Sequence, residues 1–158
     1  MKKLIPSLFF LLLILSGCQE SFYFSETNEF NKGGWAYQDS LDFKVNILDT
    51  TTHFDLVLDL EHDVEYSYQN IYLYINTLFP SGERFGRQVN IDLADKLGQW
   101  QGKCSSKSCQ VRVDLQSNAY FNKIGEYVFT IKQFMRMDTL AGIQSMSFRL
   151  REKPMEAK

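Results

Sequence analysis

Over much of the chain, apolar and polar residues alternate with a period of two. Leu41, Phe43, Val45 and Ile47 alternate with Asp42, Lys44 and Asn46. Phe54, Leu56, Leu58 and Leu60 alternate with Asp55 and Asp59, with Val57 as an interruption. Val111, Val113 and Leu115 alternate with Arg112 and Asp114. Gly125–Phe134 sets Tyr127, Phe129 and Ile131 on one face, and Ile143–Leu150 does the same with Met146, Phe148 and Leu150. Successive side chains of a strand point to opposite faces, so each stretch predicts a half-buried strand. Asn70–Phe79 is apolar on both faces, which predicts a central strand covered on both sides. Pro80-Ser81-Gly82 turns the chain after it, and Arg84–Leu93 continues extended. Helix signals are confined to single turns at Leu93–Leu97 and Met135–Leu140. Seven or eight short strands with turns between them predict an all-β fold, an antiparallel β-sandwich. Jelly-roll and immunoglobulin-like connections both fit this pattern.

The first 17 residues depart from it. Lys2 and Lys3 give a basic start, Ile5–Leu15 is almost unbroken in its apolarity, and Leu15-Ser16-Gly17-Cys18 follows. These are the parts of a cleaved secretory signal. The apolar run is well short of the roughly 20 residues a membrane-crossing helix needs. Leu-Ser-Gly-Cys resembles the lipobox of bacterial lipoproteins. That resemblance implies cleavage before Cys18, a diacylglyceryl group on its thiol and acylation of the new amino terminus. Two or three acyl chains hold a domain at a membrane where one binds only marginally. The chain thus divides into a signal peptide (1–17), a lipidated Cys with a short tether (18–34), a sandwich domain (35–151) and a frayed tail (152–158). Phe22-Tyr23-Phe24 in the tether suits either the membrane interface or an edge strand.

Composition narrows the function. The chain has 17 basic and 19 acidic residues. Loss of Lys2 and Lys3 with the signal leaves 15 basic side chains and a net charge of −4. A mildly acidic chain without a basic block is not built for nucleic acid. Besides Cys18, the remaining cysteines are Cys104 and Cys109. In an exported protein such a close pair reads first as a disulfide, with free thiols the alternative. Neither His53 nor His62 stands at zinc-like spacing from them, so no metal is expected.

Catalytic signatures are scarce. There is no glycine-rich phosphate loop, nucleophile elbow or His-Glu-x-x-His pair. Glu61-His62-Asp63 is the best candidate for a hydrolase, but it reads as a solvated turn after a strand, as His53 does before one. Tyr66, Tyr68, Tyr72 and Tyr74 suggest a sugar platform, though packing is the favoured reading because strands favour aromatics. Trp35 and Trp100 read as core or sheet-edge residues. No catalytic residue and no cofactor is assigned.

Several segments in order resemble one family. Gly34-Trp35 precedes the first strand. Glu65–Leu73 fits a Tyr-x-Tyr-x-Asn-Leu-Trp/Tyr-Leu pattern, and Leu93–Gly102 fits Leu-Ala-Asp-x-x-Gly-x-Trp-x-Gly. Gly125-Glu126-Tyr127-Val128-Phe129, Gln133-Phe134-Met135-Arg136 and Leu140-Ala141-Gly142-Ile143 follow. With Cys18, this is similar to the gliding motility lipoprotein GldH family of Bacteroidetes. The resemblance implies a non-enzymatic envelope lipoprotein beside the gliding machinery linked to type IX secretion, with other envelope proteins as partners. It brings no active-site residues. Lys103–Cys109 stands where the family continues with Gly- and Asp-rich residues, so the role of that loop does not carry over.

The matched motifs have physical readings of their own. Gly98 and Gly102 frame a turn that tucks Trp100 against the sandwich. Asp95 caps that turn or accepts from a nearby amide. Arg136 pairs with a carboxylate such as Asp95, or lies in a partner surface. Gln19, not Asp, follows Cys18, which favours the outer membrane facing the periplasm over the inner membrane. The alternative function is a glycan- or peptidoglycan-binding module with a row of exposed aromatics.

Overall fold

The computed structural model describes residues 20–31 and 33–153. Cys18, the signal segment and residues 154–158 of the tail lie outside the described residues. Eleven strands follow in order: β1 (Phe24–Glu29), β2 (Trp35–Ala36), β3 (Ser40–Ile47), β4 (His53–Asp63), β5 (Asn70–Leu78), β6 (Arg84–Asp92), β7 (Lys103–Cys104), β8 (Ser108–Tyr120), β9 (Gly125–Gln133), β10 (Thr139–Leu140) and β11 (Ile143–Lys153). The described residues form no helix.

The long strands make two antiparallel sheets, a five-stranded one in the order β1-β11-β4-β8-β7 and a four-stranded one in the order β3-β9-β5-β6. The pairs β1·β11, β3·β9, β4·β8 and β5·β6 nest inside one another, first strand with last, down to the β5–β6 hairpin. Rolling such a nested hairpin brings β11 beside β4 and β9 beside β5. This is a jelly-roll sandwich. The short β2·β10 pair lies apart from both sheets.

Alternation explains the sandwich. Leu41, Phe43, Val45 and Ile47 face inward from β3, and Phe54, Leu56, Leu58 and Leu60 from β4. Phe148 of β11 meets Phe43 at 5.4 Å and Phe129 at 4.8 Å between ring centroids, joining the two sheets. Each such ring contributes roughly 1.5–3 kcal/mol by leaving water. Trp35 is fully buried, stacks on Phe30 at 4.9 Å and donates its indole N–H to the Asp39 carbonyl.

Several expectations are corrected. Segment 18–34 contributes a strand: Phe24 opens β1, the edge strand on β11, and packs on Phe148. The sandwich therefore begins before Trp35. Glu61-His62-Asp63 is not a solvated turn but the end of β4, with His62 fully buried. β5 is covered on one face alone: Ile71, Leu73 and Ile75 are buried, while Tyr72 and Tyr74 on the other face are 38% and 40% exposed. The expected helical turn at 93–97 is a loop, and that at 135–140 is a loop leading into the short strand β10. β8 runs well past Leu115, because two register shifts against β4 absorb extra residues and let the pairing resume.

Candidate functional site: two outer faces of the sandwich

The outer face of the five-stranded sheet is a lattice of ion pairs. Asp59 on β4 stands directly opposite Arg112 on β8. Arg112 holds it with two hydrogen bonds, Nε to Oδ1 at 2.7 Å and Nη2 to Oδ2 at 3.1 Å. Such forked guanidinium–carboxylate pairs are strong and geometrically specific. Arg149 on β11 donates to the same carboxylate from the other side. Beyond Val57 along β4, Asp55 receives Arg151 at 3.1 Å and Lys153 at 3.4 Å. The bulged course of β8 also aims the Asn118 amide at Asp55, 2.9 Å away, with Asn118 in the left-handed region. Burial pushes the Asp55 carboxyl up, but the Asn118 amide, Arg151 and Lys153 together hold it below the usual carboxylate range. Hydrogen bonds from Arg112 to Asp59 and Glu20 push the guanidinium pKa further up.

Residues just after Cys18 are part of this lattice. Glu20 bridges β8 and β11 over β4, accepting from Arg112 at 2.7 Å and lying 3.6 Å from Arg151. The Arg149 guanidinium sits 5.2 Å from the ring centre of Phe22, a cation–π contact. Tyr23 donates to the Asn46 carbonyl at 2.7 Å and packs on Phe54 at 5.1 Å. Val57 points outward beneath this cover and is fully buried. The segment 20–24 is thus seated on the sheet by charge, ring and edge pairing.

At one end of the sandwich His62 sits inside, with its ring 4.7 Å from Trp100 and 5.7 Å from Tyr66. Its Nδ1 bonds the Asp63 carbonyl at 2.8 Å, and Nε2 has no protein partner. Burial lowers the His62 pKa, against the smaller opposing pull of Asp63. Burial likewise raises that of Tyr66. Glu61 and Asp63 point to the opposite face, where Ser108 and Gln144 bind them. Alternation along β4 therefore separates the three groups a hydrolase would have to converge.

The matched turn caps this end. Asp95 accepts from the amides of Leu97 at 2.8 Å and Gln99 at 2.9 Å. Trp100 donates its indole N–H to the Val64 carbonyl at 2.9 Å. Gly102 has φ +85°, and a side chain there would collide with the Gln110 carbonyl oxygen. Cys104 and Cys109 are joined by a disulfide between β7 and β8, their Cα atoms 4.0 Å apart. Cys109 is buried opposite His62. Arg136 forms no ion pair with Asp95. It lies exposed with φ +58° in a loop that Gln133 holds from below. That buried amide donates to the Met137 carbonyl at 2.7 Å and accepts from the Met135 amide at 2.9 Å.

The outer face of the four-stranded sheet carries few charges at its centre. Tyr72 and Tyr74 stand on it, and the Phe134 ring lies 6.1 Å from that of Tyr74. Tyr37, Gln38, Tyr74, Lys132, Gln133 and Phe134 line an open cleft of about 440 Å³. The sequence reading weighed Tyr72 and Tyr74 as a platform but favoured packing, and it missed the Asp55 and Asp59 pairs and the role of Gln133. A hint was present in Asp55 and Asp59, charged residues recurring at alternate positions of an otherwise apolar strand.

Comparison with known proteins supplies the family. No solved structure matches the chain. A protein named gliding motility lipoprotein GldH homolog, from Christiangramia forsetii, is 23% identical over 89% of this chain and 90% of its own length. Gliding motility lipoprotein GldH of Flavobacterium johnsoniae is 22% identical over 89% of this chain and 91% of its own. The family model described as GldH lipoprotein matches residues 22–150, from the seated segment to the end of the core in β11, and the chain belongs to that family.

Proposed function

We propose that this protein is an envelope lipoprotein, held to a membrane by acyl chains on Cys18, that serves gliding motility as a non-enzymatic accessory component. Its place is beside the machinery linked to type IX secretion, docked to other envelope proteins. The observation that carries this reading is the family match over residues 22–150, with relatives named for gliding motility. The seat of residues 20–24 adds physical support. Two peptide steps separate Cys18 from Glu20, a reach of about 7 Å at most. A lipid there would leave beside the ion-pair lattice and hold the domain close to the bilayer, with its five-stranded sheet nearest the anchor. His62 committed to core packing, and Asp55 and Asp59 consumed in ion pairs, support a role in position rather than chemistry. Gln19 after Cys18 favours the outer membrane facing the periplasm.

The test replaces the chromosomal gene with a Cys18→Ala version. The expected result is a folded protein that leaves the membrane fraction, and colonies that no longer spread. Spreading at the wild-type rate by a soluble variant would refute the role of the anchor, and normal spreading after deletion of the gene would refute the function.

A further inference from the structure

We propose that the outer face of the four-stranded sheet binds an acidic polysaccharide, along the cleft formed by Tyr37, Gln38, Tyr74, Lys132, Gln133 and Phe134. This goes beyond the anchoring role and rests on other residues.

The first observation is how Tyr74 lies. Gly86 on β6 is the diagonal neighbour of Tyr74 across the strand pair. A methyl group built on Gly86 would stand 2.8 Å from Tyr74 Cζ and closer still to its hydroxyl. The hydroxyl end of the ring therefore lies over the bare backbone of Gly86, while the residue stays 40% exposed to solvent. Phe134 stands beside it, tilted by 40° at 6.1 Å. Two aromatic surfaces meeting at an open angle form a trough. The apolar C–H faces of pyranose rings stack on such surfaces, whereas a protein core packs against them without needing one face left flat.

The second observation is the company of these rings. Directly opposite Tyr72 and Tyr74 on β6 are Asn90 and Gln88, and opposite Tyr74 on β9 is Lys132, with Ser40 beyond it on β3. The Asn90 amide is taken up by Asn70 and Asp92, but the Gln88 amide and the Ser40 hydroxyl both donate and accept, which suits the alternating hydroxyl groups of a sugar. Lys132 is the one ionised side chain lining the cleft. It adds a cation on a chain of net negative charge, so its complement is a carboxylate on the sugar. An open cleft with small specific polar groups and an aromatic floor fits an internal stretch of a long chain.

The third observation is position. The face lies across the sandwich from Glu20 and Phe22, which occupy the outer side of the five-stranded sheet. Tyr37, Tyr72, Tyr74 and Phe134 are each 38–45% exposed.

Affinity electrophoresis tests this, with the full-length protein in a detergent lacking sugar headgroups. Gels contain polygalacturonate, a neutral β-glucan or no polymer. The expected result is retardation by polygalacturonate. Tyr74→Ala and Phe134→Ala each weaken it about tenfold, in line with the loss of one stacking surface. Gly86→Val, which lifts the Tyr74 ring, weakens it as well. Lys132→Gln weakens retardation by polygalacturonate and leaves any retardation by the neutral glucan unchanged. Melting curves establish that each variant is folded; Tyr74→Phe, which keeps the ring, retains binding and Lys132→Gln carries the test if Tyr74→Ala does not fold. No retardation by polygalacturonate, or retardation that Tyr74→Ala and Phe134→Ala leave intact, overturns the proposal. So does a dimer in sedimentation that Tyr74→Ala dissociates, which would give the face to a second copy.

Discussion

Asp59 and Tyr74 occupy equivalent places. Each points outward from an inner strand of its sheet, one on β4 and one on β5. Around Asp59 the paired charges are engaged: Arg112 and Arg149 hold the carboxylate, Glu20 ties Arg112 in turn, and Val57 beneath is sealed from water. Around Tyr74 the neighbours are uncharged except Lys132, and the ring keeps 40% of its surface exposed. The first face has spent its bonding capacity inside the molecule. The second has kept more of it around Tyr74, although the Asn90 and Gln133 amides are bonded within the molecule. A polar surface is therefore not by itself an interaction surface, and the half-exposed aromatic face is the more available of the two.

Substitutions can break or sharpen this contrast. The scale is set by the core that both sheets share: Phe148→Ala should cost about 3–5 kcal/mol of unfolding free energy in urea titration. Next comes the closed face. Asp55→Ala removes the acceptor for Asn118 and the partner of Arg151 and Lys153. It should cost about 2 kcal/mol, below the range for fully buried pairs because both cations are partly solvated. Asp55→Asn, which keeps an acceptor for the amide, should cost less. Equal costs for the two would mean that charge, not the backbone bond, holds the face.

Acid should weaken the molecule through two buried groups. The His62 pKa is lowered by burial, so the unfolded chain takes up a proton that the folded one resists. Stability is complete above the unfolded value of about 6.5 and falls as pH drops from there through the lower folded pKa. Asp55, also lowered, adds a second loss at more acid pH, below its unfolded value of about 3.9. Chemical denaturation across pH 7 to 5 checks the first: wild type should lose stability there and His62→Phe should not show that slope. Smallest of all is the open face. Tyr72→Ser should change stability by about 0.5 kcal/mol or less, as for surface positions without fixed partners. A loss above about 2 kcal/mol would show that the ring belongs to the fold and not to a surface held in reserve.

Much of the sandwich was legible because inward and outward positions differ in polarity. β3 reads directly from Leu41 to Ile47. The reading failed where that difference vanishes. Tyr72 and Tyr74 are outward, yet their rings look as apolar as Ile71 and Leu73, so β5 resembled a strand covered on both sides. Glu61 and Asp63 are outward at a strand end, and with His62 between them they imitated a turn. The ion-pair lattice was illegible for another reason. Arg112 and Asp59 are 53 positions apart, and Arg151 and Asp55 are 96. Composition counts such charges but does not pair them; the rolled hairpin does. Asp95, by contrast, accepts from the nearby amides of Leu97 and Gln99, which local spacing can suggest, whereas the Trp100 bond to the Val64 carbonyl again depends on the fold.

The nested pairing has a consequence for how the molecule comes into being. β1 bonds only to β11, which runs from Ile143 to Lys153, so the opening of the domain waits for its close. A polypeptide emerging amino end first carries an unmatched leading strand until nearly all of it has emerged. Contacts this remote in sequence form slowly. The delay leaves the leading strand free until the close of the domain arrives, so the end of the domain that carries the anchor is the last to be locked in place.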